Sequence, residues 1–168
     1  MSRYIVLSLI AAAFAGCAST AALGADVNYD DPAQCSTFLA AHQDSALTPS
    51  DHRRCVLAIA TTYIEGEQNS IPPEQELLAD DVSRHLLGTP CINAAGNRAK
   101  IVAAQPRSFV IAAIRNRRWT IDGNQAWILY DGYLKSDPSK PQFDVAERIT
   151  VEKGLISEIL VAAVAHPR

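Results

Sequence analysis

The chain has 168 residues, a formal net charge of -3 and a globular composition, 48% hydrophobic and 20% charged. A mildly acidic chain of this size lacks the concentrated basic surface that phosphate contacts need, which excludes nucleic acid as a partner class. With no internal repeat or low-complexity tract, its length suits a single domain behind a leader.

The leader comes first. Arg3 precedes an uncharged run from Tyr4 to Gly16, rich in Ile, Leu, Val, Ala and Phe. A short charge, a short apolar core and then small residues is the layout of a signal peptide, expected here over residues 1–25. The run is too short to cross ~30 Å of hydrocarbon as a permanent helix. Two processing routes stay open. Phe14-Ala15-Gly16-Cys17 resembles a bacterial lipoprotein box, with Phe14 where that motif has an aliphatic residue. Lipidation of Cys17 would tether the protein to a membrane. Cleavage after Ala25 would instead release it, periplasmic or secreted. Either way the loss of Arg3 takes the net charge from -3 to -4.

Residues 26–49 read as an N-terminal extension carrying one short helix, and residues 50–168 as the domain. Asp31-Pro32 opens the short helix, with Cys35, Phe38, Leu39 and His42 on one face. Thr48-Pro49-Ser50-Asp51 is a helix start: a hydroxyl cap, Pro at the first position and an acid in the first turn. That helix places Val56, Ile59, Ala60, Tyr63 and Ile64 on one side and is expected to end at Gly66. Cys35 and Cys55 fall on the apolar faces of these two helices, so export permits a bridge between them. Cys91 would remain a buried thiol, although Cys55–Cys91 stays open as the alternative.

Pro72-Pro73 is expected to open another short helix ending at Asp80-Asp81, followed by a strand from Val82 to Leu87. A further helix is expected over Arg98–Ala104. The remainder is β in pattern: strands Phe109–Ile121, Gln125–Leu134, Phe143–Glu152 and Ile156–Val164. Asp122-Gly123 and Lys153-Gly154 are the hairpin turns. Helical segments followed by an antiparallel meander give an α+β class.

This order of elements, with Tyr63 followed by Leu77-Leu78-Ala79-Asp80-Asp81-Val82 and with Ile149-Thr150-Val151-Glu152-Lys153-Gly154-Leu155-Ile156 at the last hairpin, resembles the nuclear transport factor 2-like superfamily. That group includes SnoaL-like cyclases and ketosteroid isomerases. The resemblance covers roughly residues 50–164. It implies a cone-like curved antiparallel sheet covered by about three helices, with a small-molecule pocket. By analogy with the steroid isomerases, Tyr63 would donate a hydrogen bond and Glu147 would be a protonated acid. Their general-base carboxylate follows the Asp-Asp pair; here Arg84, His85 and Leu86 stand there instead.

Residue patterning supplies an independent reading. With Lys153-Gly154 as a two-residue turn, Glu147 pairs with Leu160 and shares the apolar face of Phe143, Val145, Ile149 and Val151. Glu158 falls on that face too. Burial should raise the pKa of Glu147. The Asp122-Gly123 turn places Trp119 opposite Ala126, Arg117 opposite Ile128 and Arg115 opposite Tyr130. Either that face lines the pocket, bringing Tyr130 and Arg115 to it, or the other does, bringing Asp131 and Asn116. His85 has the intrinsic pKa of a neutral-pH base. No metal-ligand spacing, phosphate loop or serine elbow is present. The sequence therefore leads to an exported domain that binds a small, largely apolar molecule without a cofactor. If catalytic, it would do proton-transfer chemistry of the isomerase or lyase kind, with His85 as base and Tyr63 and Glu147 stabilising an oxyanion. The alternative is a non-catalytic envelope protein or lipoprotein using its sheet face for a homodimer or a protein partner.

Overall fold

The computed structural model describes residues 27–42, 46–68, 76–86, 98–99 and 111–166, with the main chain of 89–92. The leader with Cys17, the Cys91 side chain, the Pro72-Pro73 helix start and nearly all of the Arg98–Ala104 helix lie outside the described residues.

Both N-terminal helices begin where their caps put them. In α1 (Pro32–Ala41) the Asp31 carboxylate accepts from the Ala33 and Gln34 amides, satisfying donors that have no partner inside the helix. In α2 (Pro49–Glu67) the Thr48 hydroxyl accepts from the Asp51 amide at 3.2 Å. Cys35 and Cys55 are joined in a disulfide that ties α1 to α2. Gly66 does not end α2; the helix runs on to Glu67. This glycine answers a packing need instead, because a Cβ there would lie 2.0 Å from Glu76 Oε1.

Six strands follow: β1 (Leu78–Leu86), β2 (Thr89–Ile92), β3 (Ile111–Asp122), β4 (Gln125–Leu134), β5 (Phe143–Glu152) and β6 (Leu155–Ala165). They form one sheet in the order β2-β1-β6-β5-β4-β3. It is antiparallel except where β1 lies parallel to β6, bonded from the Ile156 amide to the Leu77 carbonyl at 2.7 Å. That pairing claims Leu78 to Asp81 for a strand, although locally they read as the end of a helix. Contact with a distant strand has overridden a weak local preference.

Two register details decide which side chains face inward. The first hairpin turns on Gly123-Asn124, with Asp122 opposite Gln125 and Trp119 opposite Ile128, two residues from the expected register. A two-residue shift keeps every side chain on its face. A bulge between Arg115 and Arg118, with Asn116 at φ 56°, then exchanges the faces beyond it, so Arg115 sits opposite Asp131 rather than Tyr130. The last hairpin turns on Lys153-Gly154 as expected, both at positive φ. A bulge between Thr150 and Val151 sets Glu147 opposite Val161, not Leu160, and carries Glu158 to the outer face opposite Thr150.

The helices lie in the hollow of the sheet. Val56, Ile59, Tyr63 and Ile64 of α2 join Ile128, Ile149, Ile156 and Ile159 of the sheet in one core, with Phe38 and Leu39 of α1 extending it. Ser36 of α1 presses on the last hairpin, where a Cβ on Gly154 would meet the Ser36 carbonyl oxygen at 2.2 Å.

Candidate functional site

The helical periodicity that buries Val56, Ile59, Ala60 and Tyr63 continues one turn further and carries Glu67 inward. On β1, alternation puts Val82 and Arg84 on the inner face. On β4 and β5 it places Tyr130 and Glu147 there, across one another's strands. Five polar side chains thus meet inside an apolar core.

Their hydrogen bonds form two linked groups. The Tyr63 hydroxyl donates to Glu67 Oε1 at 2.9 Å and accepts from Arg84 Nε at 2.9 Å. Another Arg84 nitrogen donates to Glu67 Oε1 at 3.4 Å. The Tyr130 hydroxyl donates to Glu147 Oε1 at 3.0 Å. Glu67 and Glu147 are 3% and 1% exposed, and each has a second oxygen, Oε2, with no hydrogen-bond partner.

Burial acts on all four acidic groups in the same direction. It raises the Glu147 carboxyl well above the ordinary carboxylate range, and the nearby charge of Glu67 raises it further. Glu67 is raised by burial as well, but the Arg84 guanidinium and the hydroxyls of Tyr63 and Tyr130 oppose that. Both tyrosine hydroxyls are pushed upward, chiefly by burial and then by the adjacent carboxylates. Burial thus favours the neutral forms of Glu147 and of both tyrosines, while the Arg84 guanidinium beside Glu67 favours the Glu67 carboxylate.

Glu67, Arg84, Tyr130 and Glu147 line a cavity of about 280 Å³ whose other described lining residues are apolar, including Ile111, Phe143, Val145 and Val161. Half-exposed Leu86 lies at its edge. A larger open groove of about 650 Å³ runs between the end of α1 and the last hairpin, but no buried acid lines it among the described residues. Among the described residues no group of three or more His, Cys, Asp or Glu could hold a metal ion.

Of the residues singled out from sequence, Tyr63, Tyr130 and Glu147 come together, and three others do not. His85 lies on the outer face of β1 with Nε2 3.9 Å from Glu158 Oε1, because its neighbour Arg84 takes the inward position. Asp131 is also outside, accepting from the Asn116 side chain at 2.6 Å. The β3 bulge turns Arg115 outward, where its guanidinium sits 4.6 Å from the centre of the Tyr133 ring. Tyr63 is adjacent to the cavity but does not line it, and its hydroxyl is committed to Glu67. Sequence reasoning missed Glu67 and Arg84. The signals were the i, i+4 relation of Glu67 to Tyr63 and the strand alternation of Arg84 with Val82.

No family model matches this chain, and no curated protein does. Solved structures do. A candidate ketosteroid isomerase from Kribbella flavida superposes with a TM-score of 0.52 at 17% identity, covering 67% of this chain and 80% of that one. A phenazine biosynthesis-related protein from Pseudomonas aeruginosa gives 0.51 at 18% identity, covering 70% and 80%. A nuclear transport factor 2-like protein of unknown function from Burkholderia xenovorans gives 0.50 at 11% identity, covering 67% and 85%. The fold is nuclear transport factor 2-like. At these identities the likeness concerns the fold, and a fold of this kind hosts unrelated chemistries, so the nuclear transport factor 2-like scaffold assigns no residue a role.

Proposed function

We propose that this protein is an exported domain that binds a small, largely apolar molecule in the cone-shaped cavity. The carrying observation is the cavity of about 280 Å³ itself, in which Glu67, Arg84, Tyr130 and Glu147 stand among apolar side chains of the described residues. A largely apolar cavity with a few convergent polar groups is the usual form of a small-molecule site. Proton transfer without a cofactor, of the isomerase or lyase kind, is the chemistry this site could perform, with Glu147 as the group that holds the proton. His85 faces away, so the base in any such reaction is a carboxylate of the cluster. Export is supported by the leader sequence, and the Cys35–Cys55 bridge is compatible with it.

The test is a thermal-shift screen of lipophilic small molecules against the wild type and Ala163→Trp, which fills the cavity from its wall. Saturable stabilisation in the wild type alone is expected. Equal shifts in both proteins, or none in either, would overturn the proposal.

One observation favours a second reading, a homodimer or protein partner on the outer sheet face. Trp127, Leu129 and Val164 project from that face, 42%, 46% and 66% exposed. Sedimentation of wild type and Leu129→Glu separates the two readings. A dimer lost in the variant supports this surface, and a monomer in both removes it.

A further inference from the structure

Among the described residues, Gly66, Gly123 and Gly154 each have a reason within the fold to be glycine. Gly123 and Gly154 turn hairpins at positive φ, and Gly66 admits the Glu76 side chain. Gly132 has neither reason. Its φ lies outside the left-handed region, and among the described residues a Cβ there would meet nothing nearer than Phe143 Cβ at 3.6 Å, an ordinary van der Waals contact. It stands inside β4, an interior strand, with Ile114 opposite on one side and Phe143 on the other. Glycine weakens a sheet at such a position, because it has no side chain to pack and the most backbone freedom to lose. Alanine would fit and would serve the fold better.

What glycine supplies there is a gap on the inner face. Tyr130, Gly132 and Leu134 are successive inward positions of β4, and all three line the cavity. Between Tyr130 and Leu134 the main chain itself forms the cavity wall, along ~13 Å from one Cα to the other. Phe143 and Val145 bound this gap on the β5 side, and Ala163, opposite Val145, keeps the wall low on β6. Further along the same three strands the inward residues are Ile128, Ile149 and Ile159, which join α2 in the packed core.

We infer that Gly132 is the specificity-determining position of the cavity, and that the ligand carries a rigid, flat ring system lying directly on the β4 main chain. This inference rests on the binding function proposed above. A flat ring fits a slot floored by main chain and walled by Tyr130, Leu134 and Phe143, since its whole face can reach van der Waals contact with the peptide groups. A methyl group at position 132 would lift that face off its floor. A flexible alkyl chain bends round the same methyl and loses little. The stability that glycine costs the strand is thus offset by room for the ligand.

Urea denaturation and isothermal titration of Gly132→Ala against the wild type test this, with 2-naphthylmethanol as the flat probe and octanol as the flexible one. The unliganded variant should unfold at a higher urea concentration than the wild type. Its affinity for 2-naphthylmethanol should fall about tenfold or more, while its affinity for octanol should change by less than about threefold. A variant that is less stable, or that does not fold, shows that the fold itself needs this glycine and overturns the inference. Unchanged binding of 2-naphthylmethanol, an equal loss for both probes, or binding of octanol alone to the wild type also overturns it. In each of these cases the cavity proposal stands. Binding of neither probe to the wild type overturns the cavity for ligands of this size, and the ring assignment with it.

Discussion

Replacing Glu147 by Gln tests whether the acid in the cone is held neutral. The amide keeps an oxygen for the Tyr130 hydroxyl, now 3.0 Å away, and places a donor where Oε2 has no partner. Shape and the hydrogen bond from Tyr130 survive, so the change isolates the titration. Burial and the charge of Glu67 raise the carboxyl in the folded state. The folded protein therefore binds a proton that the unfolded chain has lost, over the range between the ordinary carboxylate value and the raised one. Its stabilising contribution is fully present below that range and is lost as pH rises through it. The slope follows from linkage: one proton bound by the folded state alone costs ~1.4 kcal/mol of stability per pH unit. For a domain of this size that is about 3–5 °C in Tm per unit. Urea denaturation of both proteins across about pH 5–8, where linkage acts on this group, gives the wild-type-minus-variant difference, and common titrations cancel in it. The difference should move steadily against the wild type as pH rises. A difference that stays flat across the range would refute the claim that Glu147 is buried and neutral.

Three further outcomes are expected. Arg84→Met strands the Glu67 carboxylate and should cost ~3 kcal/mol at neutral pH, the low end for a broken buried pair because Arg84 is partly exposed; adding Glu67→Gln should recover most of it in a double-mutant cycle. Reduction of the Cys35–Cys55 bridge, or the double Ser variant, should lower stability by ~3 kcal/mol in the chain-entropy model for a loop of this length, read as a drop in Tm with reductant. Gly154→Ala should cost about 3 kcal/mol, because φ is 77° and the new Cβ meets the Ser36 carbonyl, whereas Gly123→Ala, at φ 54° with open space around it, should cost about 1 kcal/mol; equal costs would refute the α1 contact.

Local chemistry was strongest where neighbours in sequence supply the partners. Asp31-Pro32 and Thr48-Pro49 announced both helices because a cap is made within three residues. Lys153-Gly154 announced its turn for the same reason. The inward face of Glu147 was also legible, since alternation with Ile149 and Val151 needs no knowledge of the partner strand. Gly66 misled because a glycine that ends a helix and a glycine that admits Glu76 look alike in one dimension. Ending α2 there hid Glu67.

The sequence by itself therefore determined the two N-terminal helices, the order of the last four strands, Cys35 and Cys55 as a candidate bridge, and an acid and a tyrosine on apolar faces. Only the tertiary structure decided the rest of the site. Bulges at Asn116 and Ser157 shift register by one residue, and one residue is enough to exchange the faces of a strand. That turned Arg115 and Glu158 outward. The parallel pairing of β1 with β6 fixed Arg84 inside and His85 outside, through a contact that spans most of the domain. A side chain's periodicity gives its face, but which face becomes the inside of a cone depends on strands that are distant in sequence.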